Sequence, residues 1–144
     1  MKLIEALEIV SRSASVASCS RVFLACGFTP LHLQTFLSAE LSLAAPEKRV
    51  EIETGLFGDL AGNLERLQPC GLDHLAVVIE WSDLDPRLGA RSLGGWRLSQ
   101  MASIINAAER SIDRLQRAIA DASVRIPTVV YPPSLPLPPM FTSA

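Results

Sequence analysis

The chain has 144 residues, 49% of them hydrophobic, which suits one domain with its own core and is too apolar for a disordered polypeptide. Its formal net charge is -2, with no lysine-rich or arginine-rich block, so the electrostatic footprint of a nucleic-acid binder is missing and no DNA or RNA partner is expected. The longest apolar runs fall well short of the roughly 20 residues that cross a bilayer, so no membrane partner is expected either.

From Lys2 to about Ser13 the spacing places Leu3, Ile4, Leu7 and Val10 on one face, with Glu5, Glu8 and Arg12 elsewhere. This predicts an amphipathic helix that covers a sheet or a partner. Glu5 and Glu8 stand where a signal peptide needs an apolar core, so the protein is expected to be cytoplasmic. A short buried strand is predicted over Val22 to Cys26, followed by a turn at Gly27 and a helix with Thr29 as N-cap and Pro30 as first residue.

That helix runs from Leu31 to about Leu43 and stops before Pro46, after which Arg49 to Thr54 alternates as a strand. A polar helix follows around Asp59 to Leu67, then a buried strand over Leu75 to Ile79. From Gln100 to Ala122, Ile104, Ile105, Ala108, Ile112, Leu115 and Ile119 recur at helical spacing, and "RIPTVVYPP" closes the pattern as a fourth strand. The prolines of residues 132–144 exclude regular helix and favour an extended tail, so the domain itself is placed at residues 1–131.

Short apolar strands alternating with helices imply right-handed crossovers and a mainly parallel sheet covered on both faces, an α/β three-layer sandwich of about four strands. In such sheets ligands bind beyond the carboxyl ends of the strands, near the switch in strand order. Three segments converge there: Gly27-Phe28-Thr29, Thr54 to Asp59, and Glu80-Trp81-Ser82-Asp83. Four strands make a small sheet. Either the chain is part of a longer polypeptide, or its tail and edge strand are completed by a partner chain or a second copy.

Asp83-x-Asp85 after an apolar strand has the outline of the haloacid dehalogenase motif, in which one Asp is the nucleophile and the next the acid/base beside Mg²⁺. Here the apolar run ends before Glu80, and Pro86 stands where that motif wants a small residue and a Thr. The competing role is capping, or pairing with Arg87 and Arg91. A serine-type hydrolase needs a base, and only His32 and His74 are available. His32 falls in the first turns of a helix and His74 at the start of a strand, so both read as structural. Trp81, Arg87, Arg91 and Trp96, with Gly89, Gly94 and Gly95, make a stacking or anion-binding surface, a protein-docking surface, or simply a packed loop. Cys19, Cys26 and Cys70 lack metal-ligand spacing and an odd count suits a reducing compartment, so buried thiols are expected, with no metal and no cofactor.

"RVFLACGFTPLHLQTFL", "VEIETGLFGDLAGNL" and "LDHLAVVIEWSDLDPRLGARSLGGW" together resemble the N-terminal domain of FkbH-like proteins over about Arg21 to Tyr131. That resemblance implies a flavodoxin-type, SGNH-hydrolase-like fold preceding a haloacid-dehalogenase-type catalytic domain, in proteins that load glyceryl or acyl units onto a carrier protein in polyketide-type pathways. The catalytic Asp-x-Asp motif of the second domain is not matched, so the resemblance implies a non-catalytic accessory domain whose partner is a carrier protein or the catalytic domain. Against the SGNH blocks, Gly27-Phe28-Thr29 offers a hydroxyl without the Asp of Gly-Asp-Ser. Gly58 offers a backbone oxyanion donor. Trp81-Ser82-Asp83 lacks the Asn of the third block, and the terminal Asp-x-x-His is absent. Thr29 and Ser82 are therefore the candidate nucleophiles if the domain is an SGNH-type esterase or acyl transferase. Gly27, Phe28, Gly58, Glu80, Trp81, Asp83, Arg87, Arg91 and Trp96 are the candidate binding residues. A third alternative is a free-standing structural protein that oligomerises through its first helix and tail.

Overall fold

The computed structural model describes residues 1–89 and 97–133. In chain order the elements are α1 (Leu3–Ser13), β1 (Cys19–Cys26), α2 (Leu31–Ala44), β2 (Arg49–Thr54), α3 (Leu60–Glu65), β3 (His74–Val78), α4 (Trp81–Leu84), α5 (Met101–Ser123) and β4 (Thr128–Tyr131), with two 3-10 turns flanking the α4–α5 connection. The four strands form one all-parallel sheet in the order β2-β1-β3-β4. The protein is an α/β three-layer sandwich, as the alternation of strands and helices predicts.

The strand order dictates which helix covers which face. The crossover from β1 to β2 steps one way across the sheet, and those from β2 to β3 and β3 to β4 step the other way, so right-handed connections put α2 on one face and α3 with α5 on the opposite one. β1 and β3 are therefore covered twice, which explains the unbroken apolar runs Val22–Cys26 and Leu75–Val78 within them. Ala25, Leu75 and Val77 pack with Leu60, Leu64, Ile104, Leu115 and Ala118 on the α3/α5 side, while Leu24, Cys26 and Ala76 pack with Leu33, Leu37 and Ile52 on the α2 side. A Leu buried as completely as Leu24 or Leu75 contributes about 1.5–3 kcal/mol of transfer free energy. The Arg114 guanidinium closes the α3/α5 contact with a forked pair to Glu65, both bonds 2.7 Å long.

Several local expectations need correction. α1 does not bury its Leu3-Ile4-Leu7 stripe: those three side chains are exposed, and the helix meets α2 through the fully buried Ala6 and a hydrogen bond from Ser42 Oγ to Ser13 Oγ (3.3 Å). Small residues let the two helices approach closely, and that requirement outweighed the apolar stripe in choosing the contact face. α2 begins at Leu31, the bound expected for it, but Pro30 is its cap and not its first residue. Pro30 holds the cap position and its carbonyl accepts from Gln34 N (2.7 Å), so Thr29 lies outside the helix. Of the three cysteines only Cys26 is buried; Cys19 is half-buried and Cys70 exposed. Among the described residues no helix is long and apolar enough to cross a membrane.

Candidate functional site

β1 is the first strand of the chain's alternating run, and the connections leaving β1 and β3 diverge to opposite faces, so the carboxyl ends of these neighbours bound the crevice of the sheet. Three loops meet at that edge. The one after β1 carries Gly27, Phe28 and Thr29; the one after β2 carries Gly55 to Asp59; and the one after β3 leads through Ile79 and Glu80 into α4.

The first and third loops touch through Gly27 and Asp83. A β carbon built on Gly27 would overlap Asp83 Oδ1, so glycine is required there by close approach. The other oxygen of Asp83 accepts from Glu80 N at 2.8 Å and caps the short helix α4. Burial raises the Asp83 pKa, the capping bond from Glu80 N opposes that rise, and the charge of Glu80 adds to it. Below this pair, Cys26 Sγ donates to Phe28 O at 3.3 Å, and burial pushes the thiol pKa up, partly offset by hydrogen bonding with the Phe28 backbone and reinforced by the charges of Asp83 and Glu80. A thiol held protonated in this way is a poor nucleophile.

The first and second loops are tied by Gly58, whose N–H donates to Gly27 O at 2.9 Å. Gly58 adopts φ +74, a left-handed conformation that glycine takes without strain. Its N–H is already engaged, so the oxyanion-donor role that the sequence suggests for it has no free donor behind it. The remainder of the loop is fastened from α3. Buried Asn63 accepts from Leu56 N through Oδ1 and donates to Leu56 O through Nδ2, each at 2.8 Å, imitating a strand partner. Asp59 caps α3 by accepting from Gly62 N at 3.0 Å and pairs with Arg66 at 2.7 Å. Held on both sides, the loop leaves Leu56 65% and Phe57 69% exposed.

Among the described residues neither candidate nucleophile is paired with a base. Thr29 and Ser82 are both exposed, and among the described residues no hydrogen bond joins either hydroxyl to a histidine. His74 opens β3, and five residues of strand carry the chain about 13 Å away from it before the crevice is reached, far beyond the ~3 Å that proton transfer needs. His32 is exposed on the first turn of α2. Among the described residues no three His, Cys, Asp or Glu side chains converge as a metal site.

Asp85 does not join the crevice. It is almost fully buried, caps the following turn by accepting from Arg87 N (2.8 Å), and receives Arg87 Nε and a second guanidinium nitrogen at 2.8 and 2.6 Å. Hydrogen bonding from Arg87 lowers its pKa. Arg87 Nη1 continues to Ser103 Oγ at 3.1 Å and so ties this loop to α5. Trp81 is half-buried and packs against the core cluster on the α3/α5 side. Of the predicted binding residues, Gly27, Phe28, Gly58, Glu80 and Asp83 are thus gathered at one edge, Arg87 is committed to Asp85, and Arg91 and Trp96 lie outside the described residues. Sequence reasoning placed Leu56, Phe57 and Asp59 in a converging segment without naming them as binding residues, and it did not single out Asn63; the one signal for the pair was two large apolar residues set between Gly55 and Gly58. Comparison with protein-family models, with curated proteins and with solved structures found no match for this chain.

Proposed function

We propose that this domain recognises a protein partner through the loops at the carboxyl edge of its sheet and does not itself cleave bonds. The observation that carries the reading is the Gly55–Asp59 loop. Its backbone is clamped by Asn63, Asp59 and Gly58, and that rigid frame presents Leu56 and Phe57 to solvent. Ordering a loop around side chains that gain nothing from the fold makes sense as preorganisation, because contact residues fixed beforehand lose less entropy on binding. Leu31, exposed on the first turn of α2, extends the apolar rim along the adjoining connection.

The resemblance to the N-terminal domain of FkbH-like proteins supplies the partner class: an acyl carrier protein in glyceryl or acyl loading, or a haloacid-dehalogenase-type catalytic domain. Thr29 and Ser82, paired with no base among the described residues, fit contact roles better than nucleophilic ones. The test is an amide-shift titration of the labelled chain with an acyl carrier protein and, separately, with such a catalytic domain. Shifts centred on Gly27–Thr29 and Gly55–Asp59, lost in Leu56→Ser and Phe57→Ser variants, are expected for one of the two. A fluorophosphonate adduct that disappears in Thr29→Ala or Ser82→Ala would overturn the proposal in favour of an SGNH-type esterase or acyl transferase.

A further inference from the structure

The two edges of the sheet are built differently. β2 carries Arg49, Glu51 and Glu53; Arg49 pairs with Glu51 at 2.6 Å, and Glu53 pairs with Arg21 of β1. Charged side chains along an edge are a common guard against pairing with another chain. β4, Thr128–Tyr131, has no charged residue, and it exposes Val129 by 48%, Val130 by 39% and Tyr131 by 56%. In register with β3, Thr128 and Val130 share a face with Leu75 and Val77, and Val129 and Tyr131 share the other with Ala76 and Val78.

The main-chain groups of β4 also alternate. Leu75 N donates to Pro127 O at 2.9 Å and Ile79 N to Tyr131 O at 3.0 Å, so residues 127, 129 and 131 face β3 while the N–H and C=O groups of Thr128 and Val130 face outward. Among the described residues no strand pairs with this edge. Prolines at 132, 133, 136, 138 and 139 remove the donors that a ladder needs.

We propose that the free edge of β4 pairs with β4 of a second copy of this chain, antiparallel about a two-fold axis at Val129, to give one sheet continuous through both subunits. This register sets Thr128 opposite Val130 of the second copy, and Val130 opposite its Thr128, as hydrogen-bonded pairs. Every outward N–H and C=O of both residues is then satisfied. Val129 meets its own counterpart at the closely spaced, non-hydrogen-bonded position. Pro127 and Pro132 bracket the pairing where no further donor is required. Two-fold pairing of identical edges must be antiparallel, and an uncharged strand meets its copy without like-charge repulsion. The inference concerns a surface separate from the Gly55–Asp59 loop and stands or falls independently of the partner-recognition reading.

Sedimentation and light scattering on the full chain over a concentration series are expected to show a species of twice the 15.6 kDa chain mass. In hydrogen exchange, the Thr128 and Val130 amides are expected to slow as concentration rises, while those of Val129 and Tyr131, on the β3 side, stay protected throughout. Val130→Pro removes an outward donor without touching a β3 bond, and is expected to weaken dimerisation about tenfold or more. Val129→Lys sets two ammonium groups across the axis and is expected to dissociate the dimer in a way that added salt partly restores. A chain that stays monomeric at high concentration overturns the proposal. So does a dimer whose Thr128 and Val130 amides still exchange freely, a result that needs no variant to fold.

Discussion

Asp83 Oδ1 occupies the space that a side chain at Gly27 would need, so the loops after β1 and β3 are fitted to each other at the crevice of the sheet. The contact also fixes α4, because the same carboxylate accepts from Glu80 N. Gly27→Ala must therefore push Asp83 away and break the cap. Overpacking of this kind costs about 1–3 kcal/mol, measured by denaturant unfolding. The double variant Gly27→Ala/Asp83→Ala removes the obstacle along with its cost, so it is expected to be more stable than the sum of the two single changes predicts. Strict additivity would show that the carboxylate is not what excludes the methyl group.

Asn63 fastens the β2–α3 connection from a buried position by bonding both main-chain groups of Leu56. Asn63→Asp keeps the shape but loses the donor to Leu56 O and places a carboxylate against that carbonyl. Asn63→Leu loses both bonds. Each variant is expected to lose about 1–3 kcal/mol, the cost of leaving a buried polar group unsatisfied. The Leu56 amide, protected in the parent, is expected to exchange faster in Asn63→Leu. An unchanged exchange rate would mean that the loop is held by other contacts.

The acidic cluster shows how far the sequence could be read. Buried parallel strands were visible because β1 and β3 are apolar on both faces, yet β1 starts at Cys19, three residues before the predicted strand. Cys19, Ser20 and Arg21 are recruited by pairing with Arg49, Val50 and Glu51, which an apolar-run criterion does not detect. α4, a four-residue helix, carries too little periodicity to be recognised and exists through its cap. At the site, the sequence placed the converging loops correctly, because carboxyl ends of parallel strands gather by topology. It offered capping or pairing with Arg87 as the role of these acids without dividing it between them: Asp83, five residues past the strand, turns toward Gly27 and caps α4, while Asp85, two residues further on, pairs with Arg87, and only three-dimensional packing separates them.

Asp85 carries a pH signature. Its folded pKa lies below the unfolded value because Arg87 bonds its charged form, so its contribution is fully present above the unfolded pKa of about 4 and is lost as pH falls through the folded pKa. Asp85→Asn is expected to be less stable than the parent by about 1–3 kcal/mol at neutral pH. That difference is expected to shrink progressively below about pH 4. Asp83 has the opposite sign: its raised pKa means that stability falls as pH rises through the folded value, so Asp83→Asn is expected to flatten the pH dependence near that value. Unfolding curves across the acid range distinguish the two, and a gap for Asp85→Asn that persists at low pH would show that the pair acts through packing and not through charge.

Leu56 and Phe57 separate binding from folding. Leu24 is completely buried between the sheet and α2, so Leu24→Ala is expected to cost about 2–5 kcal/mol through lost contacts and the cavity left behind. Leu56→Ser and Phe57→Ser remove side chains that are about two-thirds exposed, and surface changes of this kind stay within about 0.5 kcal/mol. Thermal and chemical denaturation of the three variants checks the contrast directly. If Phe57→Ser alone destabilised the domain by an amount comparable to Leu24→Ala, the ring would be a structural element of the loop and its presentation to a partner would lose its support. If both loop variants keep the parent's stability, then any loss of partner binding they show belongs to the interface itself, since the frame formed by Asn63, Asp59 and Gly58 is untouched by either change.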